Sequence, residues 1–211
     1  MPLTLPASPA LGLPPAAEAR LAGLRTPERI QSFVNRIPWN TEPDGPTARS
    51  VTGVLEHRVA HCIEGAFVAA AALALAGHPP LLMDMGAARG DVDHVVALFR
   101  RRGHWGAISK SNSPLLRYRD PIYRSLRELA LSFFPQYIRG RRKTLRTYSV
   151  SVDLRKHDPA LWVSHDGPVC QEMVDMLTTA RHFPIVPPEA TGDLRPIDEI
   201  ERRGALLHEY P

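Results

Sequence analysis

Residues 56–80 read EHRVAHCIEGAFVAAAALALAGHPP. A polar, histidine-bearing turn becomes a long run of small apolar residues, and Cys62 stands at the change. From Cys62 to Ala76 the small side chains are interrupted by Ile63, Phe67, Leu73 and Leu75. This pattern predicts a helix that other elements approach closely on several sides, the central helix of its domain. Gly77 supplies its C-terminal stop. A structural thiol can sit anywhere along such a helix. At the start, unpaired N–H groups and the positive end of the helix dipole favour a thiolate and an oxyanion.

The chain has 211 residues, 44% hydrophobic and 23% charged, within the range of one elaborated soluble domain. Cys62 and Cys170 are its two cysteines, too few for a disulfide framework. The N-terminus carries five prolines before Ala16 and no basic segment ahead of an unbroken apolar core, which is unlike a signal peptide. The longest apolar run, Ala66 to Ala76, is shorter than the roughly 20 residues that span a bilayer. No membrane association and a cytoplasmic address are expected. Net charge is +4, and arginine supplies 23 of 26 basic residues. With abundant Ala and Pro, this is the bias expected of a GC-rich bacterial genome. The basic cluster Arg139 to Lys143, followed by Arg146, has no interleaved aromatics and reads as a solvated linker; no nucleic-acid partner is expected.

Residues 1–22 read as a Pro/Ala-rich tail, extended and weakly ordered, and 23–211 as a single domain with a C-terminal extension. Thr26-Pro27 caps a helix with Ile30, Phe33, Val34 and Ile37 at helical spacing. Trp39 to Pro46 is a loop and Ser50 to Leu55 a short helix. Leu81–Met85 predicts a strand, Gly86 to Asp93 a loop, and His94 to Phe99 with Trp105 to Ser109 a hairpin. Asp120-Pro121 is expected to open a helix bearing Ile122, Leu126, Leu129 and Phe133 on one face. Leu145 to Leu154 alternates as a strand, and 167–180 predicts a helix. The segment after Pro184 is expected to wrap the surface.

A thiol nucleophile needs a base. His94 begins a strand whose alternate residues Val96 and Leu98 are apolar, so its ring can face a cleft and take the thiol proton. A histidine bonded at a strand end for structural reasons is the alternative.

The order of these elements carries a resemblance. TPERIQSFVNRIPWN, SVTGVLEHRVAHCIEGAFVAAAALALAGHPP and DHVVALFRRRGHWGAIS resemble the upstream helix, cysteine segment and histidine hairpin of the transglutaminase-like cysteine-protease superfamily. The resemblance covers Thr26 to Asn112. It implies an α+β fold with a papain-like core, in which a Cys-bearing central helix packs on an antiparallel sheet. It also implies a Cys62–His94 pair and thiol acyl chemistry on amide bonds.

The chain departs from that family at the third member. The family places an aspartate four residues after the tryptophan, and here that position is Ser109. Strand alternation puts Trp105, Ala107 and Ser109 on one face. A serine oxygen can orient an imidazole but cannot supply charge to an imidazolium. Asn112 is the rival, because an asparagine carbonyl does this job in papain-like enzymes; Asp120 is more remote. Trp39 or Asn40 could serve as an oxyanion donor, though an anchoring tryptophan and a turn-forming asparagine are the simpler roles. Glu64 is expected to pair with a base such as Arg58.

His57, His61 and Cys62 also form H-x-x-x-H-C, a minor zinc reading that needs both histidines on one helical face. Cys170 reads as a buried core thiol. No cofactor or metal is expected, and no acidic calcium loop is visible. Two functions stay open: a cysteine-dependent hydrolase or acyltransferase acting on a peptide-like amide, or a catalytically silent module of this type that binds a peptide or protein.

Overall fold

A computed structural model describes residues 10–210. Residues 1–9 of the expected tail lie outside the described residues. The central helix, α4 (Cys62–Leu75), has twelve of its fourteen residues buried, as its all-round apolar sequence requires. Its C-terminus closes as predicted at Gly77, whose φ is +83°. The N–H groups of Gly77 and His78 return to the carbonyls of Ala74 and Leu73, which satisfies the last turn.

Three shorter helices lie against α4: α1 (Pro15–Ala22), α2 (Pro27–Asn35) and α3 (Val51–His57). Thr26 Oγ1 accepts from Arg29 N–H to start α2, and Ser50 Oγ accepts from Gly53 N–H to start α3. The helical, packed state of α1 corrects the expectation of an extended tail. Leu11, Leu13 and Leu21 are buried in the core around α4, so the apolar residues between the prolines have a surface to cover.

The other side of α4 meets an antiparallel sheet built from β1 (Leu81–Met85), β2 (His94–Arg101), β3 (His104–Ile108), β4 (Arg119–Tyr123) and β8 (Val152–Asp153), in the order β4-β3-β2-β1-β8. Leu81 pairs with Leu98 and Ala97 with Ile108. The turn between β2 and β3 is two residues, Arg102 and Gly103, both with positive φ, the geometry a tight hairpin demands. Val95, Ala97 and Phe99 of β2 face the α4 core. Val96 and Leu98 face a second core that includes Leu129, Phe133 and Tyr137. The sheet is therefore covered on both faces, and the α+β architecture with an antiparallel sheet is as expected.

Two elements differ from the sequence reading. Asp120-Pro121 lies in β4, not at the head of a helix. β4 is the edge strand of the sheet, where a residue without an N–H is tolerated. The helix of this region, α5 (Leu126–Leu131), starts at Ser125, whose Oγ accepts from Glu128 N–H, and Ile122 is left exposed. The alternating run from Leu145 to Leu154 splits between two sheets. β7 (Thr147–Ser149) pairs with β9 (His182–Pro184), and β8 pairs with β1.

The basic cluster forms a hairpin, β5 (Ile138–Arg139) and β6 (Arg142–Lys143), and not a linker; Gly140 turns it at φ +63°. α6 (Gln171–Thr179) and α7 (Glu199–Ala205) complete the chain. Among the described residues, no helix is long and apolar enough to cross a membrane.

Candidate active site

Cys62 occupies the first position of α4, following His61 at the N-cap. Its side chain is partly exposed and opens into a cleft of about 520 Å³ whose walls include Trp39, His94, Asn112, Tyr137 and His208. The first-turn N–H groups of a helix have no intrahelical partner, so an anion is favoured at this end. The sulfur also lies 3.9 Å from the Asp93 carbonyl.

His94, at the head of β2, is buried beneath Phe133 and Tyr137, both 6.4 Å away between ring centroids. Its Nε2 lies 2.7 Å from Ser109 Oγ. That hydroxyl donates to the Leu116 carbonyl at 2.7 Å. With its proton so committed, the Ser109 oxygen accepts from His94 Nε2–H, and Nδ1 is the ring atom left for the Cys62 thiol.

Ser109 itself is held by Gln31 of α2. The Gln31 amide accepts from Ser109 N–H at 2.9 Å and donates to its carbonyl at 2.9 Å. Asn112 has a different occupation. Its side chain donates to the Tyr210 carbonyl at 2.9 Å and accepts from the Tyr210 N–H at 2.8 Å. It lines the same cleft but holds the C-terminal segment, and among the described residues the His94 ring bonds to Ser109.

His61 stands on the other side of the sulfur, its Nδ1 3.9 Å from Cys62 Sγ. Its Nε2 is 2.8 Å from the Thr47 carbonyl, 3.4 Å from Glu42 and 3.8 Å from Glu64. Glu64 is completely buried. It accepts from Asn40 Nδ2, Thr47 Oγ1, the Arg49 N–H and guanidinium, and the His61 N–H. Burial opposes its charge, but His61 and these donors outweigh that and hold it below the ordinary carboxylate range.

Glu64 pairs with a base as expected, and that base is Arg49, 3.3 Å away, not Arg58. Arg58 adopts a left-handed φ of +59° and ends α3, so His57 and His61 do not share one helical face. This removes the premise of the zinc reading. Among the described residues, no group of three His, Cys, Asp or Glu side chains is placed to hold a metal ion.

The electrostatics differ sharply between the two thiols. Burial raises the Cys62 pKa, but hydrogen bonding and charge from His61, then from His94, draw it well below the ordinary value. Cys170, at the N-cap of α6, is buried without such partners, and burial with the charge of Glu64 pushes it up to about 12.

No protein-family model matches the chain, and no curated protein matches its sequence. Among solved structures it is similar to Legionella pneumophila LapG (EGTA-treated), at 18% identity and a TM-score of 0.35. That similarity covers 45% of this chain and 59% of LapG, so the chain spans about three fifths of its length.

Three contributors to this geometry escape a linear reading. Gln31 reaches Ser109 across 78 residues, Leu116 offers a backbone carbonyl, and His61 acquires its surroundings from the 42–49 loop. The capping-box spacing from His61 to Glu64 is the one local signal of the last. Asn40, considered as an oxyanion donor, has its side-chain amide engaged by Glu64 and Thr47. Trp39 lines the cleft.

Proposed function

We propose that the chain is a thiol-dependent hydrolase of peptide-like amides, with Cys62 as nucleophile, His94 as proton shuttle and Ser109 as the residue that orients His94. The observation that carries this reading is the Cys62 sulfur at the head of α4, opening into a cleft that His94 also lines, with the His94 ring turned so that Nε2 meets Ser109 and Nδ1 is left for the thiol. The Cys62 thiol gives its proton to His94 Nδ1, and the sulfur lone pair forms a bond to the amide carbon as the carbonyl π pair moves to oxygen. First-turn N–H groups of α4 favour that oxyanion. When the tetrahedral species collapses, the C–N bond breaks and the leaving nitrogen takes the proton from His94. Water, deprotonated by the same ring, then releases the acid from the thioester. Water is the abundant acceptor, so hydrolysis takes precedence over transfer to an amine.

In this reading Asn112 stays outside the chemistry and holds Tyr210, to which both atoms of its amide are bonded. The reading is tested by turnover of a peptide-amide library. Wild type is expected to hydrolyse some members, Cys62→Ala none, and His94→Ala at least a hundredfold more slowly, the usual scale of general acid–base catalysis (roughly 10²–10⁴). Binding of peptides without turnover by wild type would favour the catalytically silent module.

A further inference from the structure

The residue bonded to the His94 ring brings it no negative charge, since Ser109 is neutral and its proton faces a carbonyl. That bond orients the ring and adds no charge to it. The helix side of the sulfur holds the opposite arrangement. The His61 ring donates through Nε2 to the Thr47 carbonyl, because a carbonyl can only accept, and this leaves Nδ1 aimed at Cys62. Two carboxylates, Glu42 and Glu64, lie on the Nε2 side, and one of them is buried under five donor groups.

We propose that His61 is a fixed cation of this site, whose Nδ1–H holds the Cys62 sulfur anionic and so supplies, from the helix, the charge that Ser109 cannot supply through His94. The inference rests on Cys62 being the nucleophile. His61 keeps both ring protons throughout the cycle; the thiol proton still travels to His94 and on to the leaving group. Stabilising the thiolate and stabilising the His94 imidazolium favour the same proton transfer, so one can stand in for the other.

The charges facing this pair come from every side. Glu42 and Arg49 approach from the loop, Glu64 from α4, Asp84 from β1, Asp93 and His94 from the head of β2, and Tyr137 from the far wall. The carboxylates among them offset the repulsion between two imidazoliums. Burial disfavours the His61 charge, but the Cys62 thiolate, then Glu64 and the Thr47 carbonyl, raise its pKa to about 9.

The test is the pH dependence of iodoacetamide alkylation, read separately at Cys62 and Cys170 by mass spectrometry. Wild type should show a Cys62 inflection well below a free thiol's roughly 8.5. His94→Asn should keep the inflection below that value. His61→Gln should move it to about 8.5 or higher and slow alkylation at pH 6.5 at least tenfold. An unmoved inflection in folded His61→Gln would overturn the proposal.

Should that variant fail to fold, NMR titration of the His61 ring in wild type and Cys62→Ser decides. A value near 9 in wild type that falls in the serine variant supports the pair, because coupling between two sites is reciprocal. A ring titrating at or below the ordinary imidazole value in wild type overturns it. Neither readout needs an amide substrate, so the His61 assignment can fail while hydrolysis stands, and the reverse.

Discussion

The Nε2 of His94 lies 2.7 Å from the Oγ of Ser109, and that hydroxyl commits its own proton to the Leu116 carbonyl. The direction of the bond is thereby fixed, and so is the ring tautomer. Ser109→Ala removes two neutral hydrogen bonds, and the one that bears on His94 is worth about 1 kcal/mol. Amide hydrolysis is expected to fall roughly five- to tenfold in kcat/KM. Ser109→Asp is not a restoration. The position is completely buried, and a carboxylate there has no proton for the Leu116 carbonyl, so its melting temperature should fall below that of Ser109→Ala.

Asn112 fastens the C-terminal segment through both atoms of its amide, and Glu209 N–H adds a bond to its carbonyl. Ala205 and His208 of that segment line the cleft. Asn112→Ala should raise KM more than it lowers kcat and should speed limited proteolysis after Ala205. An unchanged KM with a collapsed kcat would instead return Asn112 to the chemistry.

Asp84 is buried on β1, its Oδ2 3.0 Å from His182 Nε2. Burial, with the charges of Asp93 and Cys62, outweighs His182 and raises its pKa from 3.8 to about 6. A raised value in the folded state means that the proton favours folding. This contribution is complete below about pH 4 and is lost as pH rises through 6. Asp84→Asn should therefore gain stability relative to wild type on going from pH 4 to pH 8, by about 2–3 kcal/mol. Paired denaturant titrations at the two pH values measure this difference.

Gly65 lies on the face of α4 that meets Lys110. A Cβ there would stand 2.3 Å from the Lys110 Cβ and 2.9 Å from its Cγ. Gly65→Ala should cost about 1–3 kcal/mol despite alanine's better helix propensity. Shortening Lys110 to alanine should not relieve the loss, because the Cβ remains. Equilibrium unfolding of the single and double variants tests both statements.

The sequence was most legible where one local pattern decided the outcome. The unbroken small apolar run of α4 has one way to be buried, and Arg102-Gly103 between alternating apolar stretches has one way to turn. The strand register that groups Trp105, Ala107 and Ser109 also anticipated the face on which Ser109 meets His94. Asp120-Pro121 misled because the same dipeptide suits a helix start and an edge strand, and neighbours distant in sequence choose between them. Alternation in Leu145 to Leu154 was real, but it does not say which sheet each half joins. His61 looked like one half of a metal spacing; its surroundings depend on Thr47 and Glu42, which no periodicity connects to it.

Gln31 gives Ser109 one acceptor and one donor, the same complement that an adjoining strand would present. A single side chain thus impersonates a peptide group and lengthens the sheet by one residue without any further backbone. Because a helix does this work, the mouth of the hairpin needs no strand laid across it. Gln31 and Ser109 are both buried and neither lines the cleft, so the backbone that carries Ser109 is satisfied without taking any part of the cleft wall.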